Sequence, residues 1–215
     1  GEVVPPAVGL DIGCGVRGWK TNIPAEDLET HLDRVLNDIQ RSVPQGFSWH
    51  DETQAERTTL FDEVPDIHVL REEARKAERQ LASLGGGNHF IELQLDEDGV
   101  TWAMVHTGSR NIGKQVAERF DDLAKEANRR DSSAVPPEWG LAHLSVESDD
   151  GAAYLEAMRW CMRFAKESRR LIAAAVQAAL DRHVGEYGPD EAVDVHHNYA
   201  SVETHFGREV IVHRK

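Results

Sequence analysis

Residues 8–16 read VGLDIGCGV, an apolar stretch with three glycines that places an aspartate and a cysteine three residues apart. Gly13 and Gly15 permit a tight backbone turn that exposes the thiol of Cys14. A thiolate can bridge two metal ions, and the carboxylate of Asp11 can bind one of them. The alternative is a free cysteine buried in a turn, because free cysteine is among the most buried residue types.

Three further segments combine a metal-capable side chain with glycine or a small polar residue. They are Gly85-Gly86-Gly87-Asn88-His89, His106-Thr107-Gly108-Ser109-Arg110 and His196-His197-Asn198. Three of the four segments lie at an end of a predicted strand, where side chains can converge on a cleft.

The glycine-rich and post-strand segments each allow a structural alternative. Three consecutive glycines indicate close backbone approach to a ligand such as a phosphate, whereas a helix stop and turn accounts for Gly85 alone. The donors that follow His106, together with Arg110, favour an anion site. The alternative there is a strand-to-helix turn with Ser109 as the N-cap of the next helix.

Eleven histidines stand out in the composition. His196 and His197 are adjacent on a predicted strand and point to opposite faces, so at most one of them is expected in a site. Five histidines in helical or loop contexts carry no functional expectation; they are His31, His50, His68, His143 and His183. His205 and His213 stay undecided.

The candidate ligands total one aspartate, one cysteine and three histidines. Mixed nitrogen, sulfur and oxygen donors suit Mn, Co, Zn or Fe better than Mg or Ca. Five ligands with a shared thiolate favour a two-metal cluster, which can clamp a transferring phosphoryl group. A single structural zinc is the competing interpretation, although the ligands lack CxxC or HxxxH spacing.

Helices and strands alternate irregularly along the chain, which predicts an α+β fold in one domain. Helices are expected from Pro24 to before Pro44, and at Pro65–Leu84, Gly113–Arg129 and Gly151–Val184. Strands are expected at Phe90–Leu95, Val100–His106, Ala192–His197 and Glu209–His213. Residues 131–150 are expected to form a loop.

Composition excludes several classes of protein. The 215 residues are 40% hydrophobic, and 24 Lys and Arg against 38 Asp and Glu give a net charge of −14, which argues against broad non-specific nucleic-acid binding. No apolar run could span a membrane, and the first residues do not resemble a signal peptide. Two cysteines exclude a disulfide scaffold and indicate a reducing, cytoplasmic location. Both ends read as domain interior, so we expect a piece of a longer protein.

The four segments, in this order, resemble motifs of the RtcB family of RNA-splicing ligases. The matching stretches are VGLDIGCGV (8–16), SLGGGNHFIELQ (83–94), VHTGSRNIG (105–113), YLEAMRWCMRFA (154–165), HHNYA (196–200) and HFGREVIVHRK (205–215). The resemblance implies an RtcB-like fold, with mixed strands around a metal cleft and long surface helices. It also implies that residues 1–215 form a single partial domain, truncated at both ends.

The resemblance further implies a GTP-dependent ligase that uses two Mn²⁺ ions and a guanylylated histidine. Such an enzyme joins RNA ends bearing a 2′,3′-cyclic phosphate or 3′-phosphate to 5′-hydroxyl ends, in tRNA halves or broken RNA. Cys14 would bridge both ions, Asp11 and His89 would complete one ligand set, and His106 and His197 the other. Asn88 and His197 would contact the guanylate, and Arg110 would lie near RNA phosphates. The resemblance also allows an accessory activator as a partner.

Two departures from the family limit this interpretation. The family's guanylylated histidine and its terminal guanine-binding lysine segment have no match here, and His213 does not fit that motif. We therefore assign no nucleophile and expect the isolated chain not to complete ligation. Glu167-Ser168-Arg169 replaces an expected Asn-Arg pair, which puts some RNA or nucleotide contacts in question. The alternatives are a non-catalytic truncated paralogue that binds metal or nucleotide, and a two-metal phosphoesterase acting on RNA 3′-phosphates.

Overall fold

A computed structural model describes the backbone of residues 1–215 and every side chain except that of Glu191. The α-helices are α1 (Pro5–Val8), α2 (Ala25–Glu29), α3 (Leu32–Ser42), α4 (His68–Gln80), α5 (Arg110–Arg130) and α6 (Asp149–His183). The strands are β1 (Glu2–Val3), β2 (Gly15–Pro24), β3 (Phe90–Leu95), β4 (Val100–Thr107), β5 (Leu144–Ser145), β6 (Asp190–His196), β7 (Tyr199–His205) and β8 (Arg208–Arg214). Short 3₁₀ helices occupy Ala55–Arg57, Leu60–Glu63 and Pro137–Trp139.

The strands form antiparallel sheets, and the mixture of these sheets with separate helices confirms the α+β prediction. The main sheet has the order β3-β4-β2-β6, while β1 pairs with β5 and β7 pairs with β8. Among the helices that the structure describes, none combines the length and the apolar character needed to cross a bilayer.

The register of the main sheet gathers the chemistry at one end. Gly15 pairs with Thr107 on one side and with His196 on the other. Phe90 pairs with His106 in the next ladder. The residues just before β2 and β3 therefore lie beside the last residues of β4 and β6, so all four candidate segments meet at this end.

The predicted strands are confirmed with small changes of boundary. β3 has the predicted bounds, and its Ile91 and Leu93 pack against the core, whereas Phe90, Glu92 and Leu95 are exposed. β4, β6 and β8 overlap their predicted positions but shift by one or two residues. The central strand β2, the hairpin strand β7 and the short strands β1 and β5 were not predicted, and β5 lies within the expected loop at residues 131–150.

Two of the predicted helices are wrong in extent. The helix expected between Pro24 and Pro44 is divided into α2 and α3 by a turn, in which the His31 N–H donates to the Leu28 carbonyl. The helix expected at Pro65–Leu84 is shorter at both ends, since α4 begins at His68 after an extended Ile67. It ends at Gln80 because Leu81 (ψ 144°) leaves the helical conformation and Ala82 is left-handed (φ 60°).

The long helix α6 contributes to both hydrophobic cores. One core lies between the main sheet and helices α3 and α6, with Trp19, Ile23, Val105, Ile172 and Val176 among its members. The other packs α4, α5 and α6 together, with Leu70, Ile112, Phe120, Trp160 and Phe164 among its members. Through its packing against the sheet, α6 lies directly behind the strand ends that carry the candidate site.

Candidate metal centre

The structure brings together all five side chains that the resemblance nominates as metal ligands. Cys14 Sγ lies 3.3 Å from Nε2 of His89 and 3.3 Å from Nε2 of His106. The Asp11 carboxylate lies 2.9 Å from His89 Nε2, and His197 Nε2 lies 3.0 Å from His106 Nε2. These donors form two groups of three that share the thiol of Cys14. This arrangement suits two ions bridged by one sulfur.

The turn that carries Asp11 and Cys14 is closed by backbone hydrogen bonds. The Cys14 N–H donates to the Asp11 carbonyl at 3.1 Å, which directs both side chains to the same side. Gly13, with φ of 77°, donates to the Asn198 carbonyl at 2.7 Å. The His197 N–H donates in turn to the Cys14 carbonyl at 2.8 Å. The end of β6 is thereby fixed against the turn.

The hydrogen bonds of two imidazoles determine where their lone pairs point. Nδ1 of His106 lies 2.9 Å from the Asn88 carbonyl and can only donate there, so its Nε2 carries the lone pair. His197 Nδ1 faces Asn198 Oδ1 at 2.7 Å, while Asn198 Nδ2 donates to the Asp11 carbonyl. Two Nε2 lone pairs therefore face each other.

A bound metal ion would account for that contact, because the two nitrogens, 3.0 Å apart, could then both direct their lone pairs at one cation. Soft sulfur, imidazole nitrogen and carboxylate oxygen together suit a transition metal. The donor set therefore fits the pair of metal ions that the resemblance implies.

The electrostatics of the site also favour a bound cation. Burial raises the pKa of the Cys14 thiol far above its usual range, and the neighbouring Asp11 carboxylate raises that pKa further. Burial lowers the pKa of His106, which keeps its imidazole neutral and able to bind a metal. Without a cation the thiol stays protonated, and a divalent ion would supply the charge that stabilises its thiolate.

Two of the three consecutive glycines have a steric or conformational reason. A Cβ atom on Gly85 would overlap Nδ1 of His89, so the imidazole ring lies against the bare backbone. Gly87 has φ of 72°, which favours glycine. A Cβ on Gly86 would meet nothing closer than the Cα of Gly46 at 3.7 Å. The helix-stop alternative therefore fails even for Gly85, since α4 ends at Gln80.

We expect Gly85→Ala to weaken Mn²⁺ binding by about 10- to 100-fold, because the added methyl group displaces the His89 ring from the cluster. Gly86→Ala is the matched control and should stay within about twofold of the parent chain. Isothermal titration with Mn²⁺ measures both. Equal affinities for the two variants would mean that His89 does not contribute to metal binding.

Ser109 is the N-cap residue of α5, as the structural alternative predicted. Its side chain makes no capping hydrogen bond, because the hydroxyl donates to the Ile12 carbonyl. The Ser109 N–H instead donates to the Asp11 carboxylate at 3.1 Å. Asp11 thus lies at the positive end of α5, which stabilises its negative charge. A Cβ on Gly108 would overlap the same carboxylate, so glycine is required there.

A cleft of about 600 Å³ opens beside the Asp11 and His89 side of the cluster. Its lining residues include Phe47, Trp49, Lys76, Asn88, Arg110 and Lys114. Asn88 is exposed there, so its predicted contact with a nucleotide is sterically open. Arg110 adopts φ of 60°, an unfavourable conformation for a side chain of this kind, and its Nη2 donates to the Gly46 carbonyl at 2.7 Å. Its contact with RNA phosphates stays a prediction.

Arg169 is a site-supporting residue whose position the sequence did not reveal. Its side chain is 0% exposed, and its Nη1 donates to the carbonyls of Gly13 and Thr107, both at 3.0 Å. Its Nε and Nη2 donate to the Asp194 carboxylate at 3.0 and 2.7 Å. Arg169 therefore joins the metal-site turn to the ends of β4 and β6 from inside the protein.

Residues 167–169, which depart from the family's expected Asn-Arg pair, therefore affect packing inside the protein. Ser168 is also fully buried, and its Oγ accepts the N–H of Ala82 at 3.2 Å. A signal for burial existed in the sequence, since Arg169 lies four residues after Ala165 and three before Ile172 on one helix face.

The remaining candidate histidines lie outside the cluster. His196 points away from His197, with its Nδ1 3.0 Å from the Gly13 carbonyl, so His197 alone of the pair lies in the cluster. His213 Nε2 accepts the Val4 N–H at 2.9 Å, and His205 lies 2.9 Å from the Glu203 carboxylate.

Comparisons with known proteins agree with the family resemblance. The family model described as tRNA-splicing ligase RtcB matches residues 1–67 and 48–215. RNA-splicing ligase RtcB of Escherichia coli (strain K12) is 32% identical over 244 aligned residues, covering 100% of this chain and 58% of the relative. The tRNA-splicing ligase RtcB of Thermococcus kodakarensis is 29% identical, with 100% and 55% covered. RNA-splicing ligase RtcB homolog 1 of Entamoeba histolytica is 28% identical, with 99% and 50% covered. The chain thus spans somewhat more than half the length of most of these relatives.

Proposed function

This chain belongs to the RtcB family of tRNA-splicing ligases, and we propose that it carries the metal site of an enzyme that joins RNA ends with GTP and Mn²⁺. The ends joined would be a 2′,3′-cyclic phosphate or 3′-phosphate and a 5′-hydroxyl, in tRNA halves or broken RNA. The observation that supports this most is the pair of three-donor groups sharing Cys14. We propose the cytoplasm as its location, since both cysteines are free.

Asp11, Cys14 and His89 would hold one Mn²⁺, and Cys14, His106 and His197 the other. When bound, the two ions would supply the positive charge that offsets the charge of transferring phosphate groups. The chain's own residues orient these ligands through the carbonyls of Asn88 and Asp11 and the amide of Asn198. Hydrogen bonds of this kind, made by the ligands on the side away from the metal, usually determine ring orientation and metal affinity.

Asn88 has two roles in this proposal. Its carbonyl accepts the His106 Nδ1–H, which fixes the backbone at the cleft, and its exposed side-chain amide can donate to a phosphate oxygen of the guanylate. Gly86 and Gly87 are exposed next to it and leave room for a phosphate close to the main chain. His197 is the second proposed guanylate contact.

We assign no nucleophilic histidine within residues 1–215. His213 is unsuitable because its Nε2 already accepts a hydrogen bond from the Val4 N–H. Among the described residues that line the cleft, His89 is the only histidine, and it belongs to the proposed ligand set. Two other candidate functions need no covalent histidine, namely a metal-dependent phosphoesterase and a non-catalytic binding paralogue.

The test is a ligation assay with the complete gene product. One RNA strand ends in a 2′,3′-cyclic phosphate and the other begins with a 5′-hydroxyl, and joined product is separated on a denaturing gel. We expect product only when GTP and Mn²⁺ are both present, and a fall of at least about 100-fold for Asp11→Ala. Release of phosphate from a 3′-phosphorylated strand without GTP would favour the phosphoesterase. Metal binding without ligation or phosphate release would favour the non-catalytic paralogue.

A further inference from the structure

We propose that Phe47 and Trp49 form a stacking platform that binds unpaired nucleobases of the RNA beside the metal cluster. The inference rests on the proposed function, because it takes RNA as the ligand. It adds a binding subsite and a preference for single-stranded ends. The observations that carry it are the exposure of two aromatic rings, the hydrogen bonds that hold their loop, and the charge of the cleft they line.

The two rings face solvent in the same cleft as the metal cluster. Phe47 is 100% exposed and Trp49 is 37% exposed, and both line the cleft that Asp11 and His89 also line. Leu10, another exposed apolar side chain, lines it as well. Clustered exposed apolar groups at the rim of a polar site indicate a binding surface.

The loop that carries the rings, residues 44–50, is held by main-chain hydrogen bonds at both ends. The Leu84 N–H donates to the Pro44 carbonyl at 2.8 Å, and the Gly46 N–H donates to the Leu84 carbonyl at 3.1 Å. The His50 N–H donates to the Arg79 carbonyl at 3.0 Å. The rings are thus exposed on a fixed backbone, which lowers the entropy lost when a ligand binds.

Arg110 joins this loop to the metal cluster. Its Nη2 donates to the carbonyls of Gly46 and Ser48, at 2.7 and 3.3 Å, on either side of Phe47. Arg110 directly follows Ser109, whose N–H binds the Asp11 carboxylate. Phe47 and Asp11 are therefore fixed to the same helix start, so a chain of nucleotides in the cleft can reach both.

The charge of the cleft suits a phosphodiester backbone. Among its described lining residues, Lys76, Arg110 and Lys114 are cationic and Asp11 is the single carboxylate, although the whole chain carries a net charge of −14. Lys76 lies 5.9 Å above the Trp49 ring. Glu73 and Glu118 face the two lysines at 3.8 and 3.6 Å, but both lysines are exposed and both contacts are long, so the lysines can bind phosphate.

Exposed aromatic rings among cationic side chains are the arrangement that binds single-stranded nucleic acid, because unpaired bases stack on the rings while phosphates meet the cations. Bases in a duplex are already stacked and paired, and their faces are unavailable. The platform therefore predicts a preference for an unpaired 3′ end over a blunt duplex end.

The experiment measures binding of a fluorescein-labelled single-stranded oligoribonucleotide with a 3′-phosphate, by anisotropy in the presence of Mn²⁺. We expect Phe47→Ala to raise the Kd roughly 10-fold and the double variant Phe47→Ala/Trp49→Ala roughly 100-fold. Trp49→Phe, which keeps a stacking ring, should stay within about threefold. The matched control is Trp139→Ala/Phe206→Ala, which removes two exposed rings outside the cleft and should leave the Kd unchanged.

A second probe lacking bases at its terminal nucleotides separates stacking from a general structural effect. The parent chain should bind this probe about as weakly as the double variant binds the normal probe. The Kd of the double variant for the second probe should be little higher than its Kd for the normal probe. Equal losses on both probes, or no loss on either, would overturn the stacking platform while RNA binding by the parent chain still supports the proposed function. If the parent chain bound neither probe, the stacking platform and the proposed function would both be overturned.

Discussion

Arg169→Met is expected to lower the free energy of unfolding by about 3–5 kcal/mol. The substitution removes a fully buried guanidinium and leaves the Asp194 carboxylate without its principal partner. Arg17 lies 3.6 Å from the other oxygen of that carboxylate, a longer contact that does not replace the two hydrogen bonds from Arg169. The carbonyls of Gly13 and Thr107 also lose their donor.

Loss of Arg169 should also weaken metal binding, because its contacts hold together segments that carry different ligands. The Gly13 carbonyl belongs to the turn before Cys14, and the Thr107 carbonyl directly follows His106. Asp194 lies on β6, which leads to His197. Releasing these segments from one another should weaken Mn²⁺ binding by about 10-fold or more.

Urea denaturation followed by circular dichroism gives the change in unfolding free energy. The neighbouring substitution Arg170→Met is the matched control, since Arg170 forms an exposed pair with Glu167 and should lose less than about 1 kcal/mol. Replacing both charged partners, in Arg169→Met/Asp194→Leu, should recover part of the stability, because no buried charge is then left unpaired. Similar losses at positions 169 and 170 would contradict the role of Arg169 in holding these segments together.

The five proposed ligands were predictable because each lies in a short local motif of unusual composition. We predicted that they converge because their motifs lie at the ends of strands. In the structure, the pairing of Gly15 with Thr107 and with His196 places these strand ends side by side. From the sequence, the division of the five ligands into two groups came from the family resemblance alone. Spacing along the chain carries no information on which imidazole faces which ion.

The central strand β2 escaped prediction because glycines interrupt its pattern. Trp19, Thr21 and Ile23 alternate inward as a half-buried strand requires, but Gly15 and Gly18 read as turn residues. Gly15 is required there because a Cβ would overlap the backbone of the neighbouring strand β6. A close approach of this kind depends on tertiary packing and leaves no local signal.

The role of Arg169 was hidden for a different reason. A charged residue in a long helix ordinarily lies on the solvated face, and the carboxylate that makes burial possible is 25 residues away. The early end of α4 has a similar origin, since the left-handed Ala82 donates its N–H to Ser168 on α6. In both cases a partner distant in sequence overrides the local preference.

Mn²⁺ is expected to raise the melting temperature of the chain by roughly 5–10 °C, and Cys14→Ala should remove most of this increase. A ligand at about 100 times its Kd stabilises the folded state by about 2.7 kcal/mol, and each kcal/mol is worth about 2–4 °C in a protein of this size. Cys14 is the one donor present in both three-residue groups, so its loss leaves each ion with two protein ligands.

Cys161→Ala separates the metal effect from the effect of losing a buried thiol. Cys161 is fully buried in the helical core and lies in neither ligand group, so its loss should lower the melting temperature without metal but preserve the increase on adding Mn²⁺. Replacing Mn²⁺ with Co²⁺ adds a direct readout, a sulfur-to-metal charge-transfer absorption that Cys14→Ala abolishes and Cys161→Ala retains. A full Mn²⁺-induced increase in Cys14→Ala would show that the sulfur is not a shared ligand, because Asp11 with His89 and His106 with His197 would then suffice.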